Sequence, residues 1–155
     1  MTQIFHIKRT CLSFLIILSG LVNSAAGQTN ILVIIDPLAE TIFRDSSNNH
    51  NGHKYLILPG EGNPVTIIGE ELVKASYDEI HLYVLSKPGS LIFDEINIIP
   101  ENIEEYADAF KSWKPGIKKG CELIIHSEDV LSDPGSDIII QIIGEYTGCK
   151  VTVKK

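Results

Sequence analysis

Ile31-Leu32-Val33-Ile34-Ile35, closed by Asp36-Pro37, is the stretch that decides the fold. Its five apolar residues are mostly β-branched and do not alternate with polar ones, so the strand they form needs cover on both faces. The proline stops it. Strands of that kind belong to parallel sheets, in which helical crossovers lie over the faces. The chain on the carboxyl side is organised accordingly. Leu38 to Arg44 suits a short helix, and Asp45 to Gly52 is a polar loop without an apolar period. A second strand spans Lys54 to Pro59, followed by the turn Gly60-Glu61-Gly62-Asn63-Pro64. Val65, Ile68, Leu72 and Val73 then recur at helical spacing, with Glu70, Glu71 and Lys74 between them.

The alternation continues. Ile80 to Leu85 reads as a third strand and Ser90 to Ile99 as a small β-excursion. Ile103, Tyr106, Ala107, Phe110 and Trp113 step by three and four, which predicts one helix from Glu101 that stops before Pro115-Gly116. Glu122 to His126 is a fourth strand, Ser136 to Tyr146 an apolar helix closed by Gly148, and Lys150 to Val153 a last strand. Strands alternating with helices predict a three-layer α/β/α sandwich around a mainly parallel sheet, with right-handed crossovers. Ligands of such sheets collect beyond the carboxyl ends of the strands, where strand order switches. Those ends carry Asp36, Ser86-Lys87 and Ser127-Glu128, so Asp36, Lys87, His126 and Glu128 are the crevice candidates.

On the amino side, Lys8 and Arg9 precede an apolar run from Leu12 to Val22, and Ser24-Ala25-Ala26-Gly27 supplies small residues for a cut. That order is the pattern of a signal peptide over residues 1–27, and the run is too short to span a bilayer, which takes roughly 20 apolar residues. The expected product is a single exported α/β domain over residues 28–155, secreted or periplasmic, with no membrane span after cleavage. The whole chain has 13 Lys and Arg against 20 Asp and Glu, and loss of Lys8 and Arg9 makes the remainder more acidic still. Nucleic acid is not expected as a partner, because binding it requires clustered cations and only Lys118-Lys119 and Lys154-Lys155 approach a cluster. Cys121 and Cys149 both follow a glycine and precede an apolar run, which would set them at neighbouring strand starts within reach of a disulfide, with two independent buried thiols as the alternative.

From Ile80 onward the chain resembles domain-of-unknown-function family 4347, a bacterial extracellular module. The resemblance is carried by Ile80-His81-Leu82-Tyr83-Val84-Leu85-Ser86-Lys87-Pro88-Gly89-Ser90-Leu91, the Tyr106 to Trp113 stretch, Gly120 to Val130, and Thr147-Gly148. It implies a caspase-like layout in which a His-Gly pair follows the third strand and a Gly-Cys pair follows the fourth. Aligned without gaps, those pairs fall on Leu85-Ser86 and Ser127-Glu128, so the resemblance implies a chain without the family's catalytic dyad. Leucine cannot carry a proton, and glutamate is a poor substitute for a thiolate.

Other constellations point to ordinary roles. His50 and His53, with Asp45 nearby, lack the ligand set of a zinc site, and no metal or cofactor is expected. His81 and His126 suit packing roles in strands. Ser127 lacks the glycine-flanked elbow of a serine hydrolase, and Gly60-Glu61-Gly62 lacks the Lys-Ser or Lys-Thr of a phosphate loop. Trp113 suits the core. The functional expectation is a non-catalytic module that binds an envelope protein or a surface polymer. The enzymatic alternative is a divergent hydrolase using Glu128 with His126 or Lys87, and an ion pair of Lys87 with Glu128 is the corresponding structural expectation.

Overall fold

The computed structural model describes residues 29–46, 53–94, 96–127 and 133–154, so the expected signal peptide and His50 lie outside the described residues. Five strands form a parallel sheet in the order β2-β1-β3-β7-β8, made by β1 (Ile31–Ile35), β2 (Lys54–Ile57), β3 (Tyr77–Tyr83), β7 (Ile117–His126) and β8 (Lys150–Lys154). Counting these strands alone, the order is the flavodoxin-like one of doubly wound sheets. β1 is an interior strand, between β2 and β3, and is buried on both faces, as its unbroken apolar run requires. A second sheet, antiparallel and three-stranded, comprises β4 (Leu85–Lys87), β5 (Ser90–Phe93) and β6 (Ile96–Ile98).

Helix α1 (Glu40–Ser46) covers one face of the parallel sheet, while α2 (Pro64–Leu72), α3 (Ala107–Lys111) and α4 (Pro134–Thr147) lie on the other. The two cores follow from period-2 alternation along the strands. Leu32, Ile34, Ile80, Leu82, Leu123 and Ile125 face the three helices and meet Val65, Ile68, Leu72, Phe110, Ile139 and Ile143. Val33, Ile35 and Tyr83 face the other way and meet Ala39 and Ile42. The sandwich is therefore lopsided. Trp113 belongs to the larger core, where its indole N–H donates to the Val65 carbonyl at 2.8 Å. No described helix is long and apolar enough to cross a membrane.

Several boundaries differ from the sequence expectations. The third strand ends at Tyr83, because Val84 leads into an antiparallel meander that begins at Leu85 and includes the anticipated excursion. The single helix expected from Glu101 to Trp113 is two pieces, with a third just beyond it. A 3-10 turn at Ile103–Tyr106 precedes α3, and another at Lys114–Gly116 follows. Tyr106, with φ −99° and ψ 2°, breaks the α-helical path between the first two. β7 starts at Ile117, five residues before the expected Glu122, and its register against β3 slips between Tyr77 and Glu79.

Cys121 and Cys149 are joined by a disulfide with a Cα separation of 5.0 Å. Cys121 sits within the longer β7, immediately before its regular pairing with β3 resumes at Glu122, and Cys149 sits between α4 and β8. Gly148, at φ 81°, ends α4 in the left-handed conformation that glycine tolerates best, and its N–H caps the Gly144 carbonyl. That turn delivers Cys149 to its partner.

Candidate functional site

The ladder of the parallel sheet runs one residue past each strand. Asp36 N–H donates to the Tyr83 carbonyl at 3.0 Å, Leu58 to Ile35 at 2.9 Å, Val84 to His126 at 3.2 Å and Ser127 to Lys154 at 3.1 Å. The first residues of the carboxyl-end loops are thus held almost as rigidly as the strands. Strand order reverses between β1 and β3, and a cleft of about 490 Å³ opens beside this point. Its lining includes Asp36, the loop residues Leu58 to Gly62, and Phe93, Asp94 and Ile96 of the β5–β6 hairpin.

Asp36 is almost fully buried, with 1% of its surface exposed. Its Oδ1 accepts from the Leu38 N–H at 2.9 Å, which caps the 3-10 turn Pro37–Ala39 leading into α1. Burial pushes its carboxyl above the usual aspartate range. The Leu38 amide opposes that shift, the nearby Asp94 carboxylate adds to it, and the Asp94 amide opposes it again. Asp94 is the one non-glycine residue with positive φ among the described residues, at 46°, and occupies the turn between Phe93 and Ile96. Asp and Asn tolerate that conformation better than other side chains. Its carboxylate also reaches the opposite wall, since a Cβ built on Gly60 would lie 3.5 Å from Asp94 Oδ2. Glu61 adds a third acid to the lining, and no described lining residue is basic.

The other crevice candidates are placed elsewhere. Lys87 is exposed at the end of β4, and Glu128 lies outside the described residues, as does the expected pair between them. His126 is turned onto the sheet face that carries α1, where it stacks on Tyr83 with ring centres 4.2 Å apart and contacts His81. Neither residue lines the cleft. Leu85 is half-buried against the smaller core. Ser86 and Ser127 are brought together, their hydroxyl oxygens 2.6 Å apart and both buried. The two segments that the family resemblance aligned with a catalytic pair therefore meet, through the two serines that stand at the glycine positions of the His-Gly and Gly-Cys pairs. No group of three or more His, Cys, Asp or Glu among the described residues is placed to hold a metal ion.

A second network ties the meander to α4. Asp133 caps that helix through the amides of Gly135 and Ser136, and it also accepts from the Gly89 N–H at 2.5 Å. The Ser136 hydroxyl, with these amides, holds the Asp133 carboxyl below its usual range. Sequence reasoning marked Asp36 from its place at a strand end but missed Asp94 and Glu61. Asp94-Glu95 between two short apolar segments was the available hairpin signal.

Residues 32–155 match the model of a family described as "Domain of unknown function (DUF4347)". Comparison with curated proteins gives no match. Among solved structures, a short chain dehydrogenase family protein from Francisella tularensis subsp. tularensis SCHU S4 is similar at 16% identity and a TM-score of 0.35. That similarity covers 77% of this chain and 60% of the dehydrogenase-family chain.

Proposed function

The chain belongs to the family of domain of unknown function 4347, and from that premise we propose that it is an exported, non-catalytic domain that works by binding, with the Asp36 cleft as its ligand site. The observation that carries this proposal is a carboxyl buried at the floor of the cleft, beside a second carboxylate, at the switch in strand order. A core does not need such a group. Burial opposes its charged form, and destabilising groups retained at a cleft floor are a mark of binding sites. With Asp36, Asp94 and Glu61 lining it, the cleft suits an ammonium or guanidinium group and repels phosphates. Partners of that chemistry are a Lys or Arg side chain of an envelope protein, or an amine-bearing surface polymer.

Export is supported by the disulfide, which persists in oxidising compartments and is rare in the cytosol. The absence of catalysis is supported by the state of the cysteines and of His126. Both cysteines of residues 28–155 are bonded to each other, so neither is a thiolate nucleophile. His126 is engaged by His81 and Tyr83.

The test is an amide NMR titration of the protein with the methyl amides of arginine and lysine. Binding at this site moves the resonances of Asp36, Gly60, Gly62 and Asp94, and Asp36→Asn weakens it by about tenfold or more, as expected for loss of a charge-assisted contact. Shifts that map elsewhere, or an affinity unchanged by the substitution, would remove the cleft from consideration.

A further inference from the structure

Three carboxylates line the cleft, and they stand at different depths. Asp36 is 1% exposed at the floor, Asp94 is half-buried on the hairpin turn, and Glu61 is exposed on the loop of the opposite wall. The two walls approach each other, since a Cβ built on Gly60, the neighbour of Glu61, would lie 3.5 Å from Asp94 Oδ2. Negative charge therefore runs from the floor to the loop that borders the mouth.

The fold leaves that charge without a counterion among the described residues. The ion pairs there engage Glu40, Glu71, Glu79, Asp78, Asp108 and Glu122, and none includes Asp36, Asp94 or Glu61. Asp36 Oδ1 accepts the Leu38 N–H at 2.9 Å, but an amide is a dipole and brings no net charge, and a carboxylate has room for about four donors. Asp94 adds repulsion at the floor.

A single cation answers only part of this arrangement. An ammonium has three donors on one nitrogen, so one head can serve Asp36 and Asp94 together, but Glu61 then stays uncompensated. Space points the same way. The cleft holds about 490 Å³, whereas an ammonium head is about the size of a water molecule, whose share of liquid is about 30 Å³. Sites of roughly 300–1,000 Å³ enclose whole small ligands rather than one head group.

We infer, resting on the reading of the cleft as a cation site, that its ligand carries at least two ammonium groups in series on one chain, the inner one held by Asp36 and Asp94 and the outer one by Glu61. A linear polyamine and a polymer of amino sugars share that chemistry. A lone Lys or Arg side chain lacks it.

The test is amide NMR titration at one low ionic strength with n-butylamine and with putrescine, which has the same carbon chain and a second ammonium. Either end of putrescine can enter first, which by itself is worth about twofold in affinity. With the outer contact made, putrescine binds roughly tenfold tighter than butylamine. Glu61→Gln reduces that advantage to about twofold and leaves butylamine binding nearly as it was. Glu70→Gln, at an exposed position of α2 outside the lining, removes the same charge and keeps the advantage, which separates a built contact from the general field of an acidic protein. A wild-type advantage of no more than about twofold, or equal losses in the two variants, overturns the inference and returns the cleft to a single basic side chain. If neither amine moves the resonances of Asp36, Gly60, Gly62 and Asp94, the cation site itself falls and this inference with it. A glucosamine disaccharide then tells the sources apart: affinity equal to or above that of putrescine assigns an amino-sugar polymer, and weaker binding assigns a free polyamine.

Discussion

Asp36→Asn separates the two things Asp36 does in the fold. As a hydrogen-bond acceptor it caps Leu38 at 2.9 Å, and as a charge it is buried beside Asp94. Asparagine keeps the acceptor and removes the charge, whereas Asp36→Ala removes both. The difference between the two variants therefore measures the cap, about 1 kcal/mol in favour of asparagine. The difference between wild type and asparagine measures the charge, and its sign follows from linkage. The folded carboxyl titrates above its unfolded value of 3.8, so its favourable contribution is complete below that value and is lost as pH rises through the folded one. Asp36→Asn is accordingly more stable than wild type near neutral pH, and its advantage shrinks as pH falls into the acidic carboxylate range. Urea unfolding of the three proteins, at about pH 7.5 and at stepwise lower pH, provides the comparison. An asparagine variant less stable than wild type near neutrality, or an advantage that does not vary with pH, would show that the Asp36 charge is satisfied inside the fold. The Asp36 charge would then need no ligand.

Three other outcomes are expected. Replacing Cys121 and Cys149 together by alanine costs about 3–4 kcal/mol in chemical unfolding, from the loop closed over a sequence separation of 28, and a loss under about 1 kcal/mol would deny the staple its role. Gly116→Ala destabilises by more than about 2 kcal/mol, because the new Cβ would lie 1.9 Å from the Leu72 carbonyl oxygen. Near-neutral thermal unfolding of that variant would mean the two segments separate easily. Trp113→Phe costs about 1–3 kcal/mol through loss of the indole bond to Val65 in a dry core, and an unchanged midpoint in urea would contradict that.

The features that were legible in the sequence were local ones. The β1 run specified its own double burial within one short segment, and the repeated Gly-Cys context set each cysteine at a strand start, which brought the disulfide within reach. α3 was overestimated because the spacing of Ile103, Phe110 and Trp113 records which residues are buried and not whether the turns between them are α or 3-10. The start of β7 was missed since Lys118 and Lys119 are exposed and polar there, and only pairing with Tyr77 makes that stretch a strand. The cleft was half legible. Asp36 follows from the rule for strand ends, but its neighbour Asp94 arrives on a hairpin more than fifty residues away in sequence. His126 was grouped with the crevice from its position at a strand end, yet alternation turns it to the sheet face and leaves Ser127 at the edge.

The disulfide and the cleft stand at opposite poles of the parallel sheet, the first where regular strand pairing begins and the second where it ends. Tightening one pole therefore leaves the other free to vary. A lineage of such domains can exchange the hairpin turn at Asp94 or the loop at Gly60 to Gly62, and so reshape the cleft, while the covalent anchor at the other pole stays as it is.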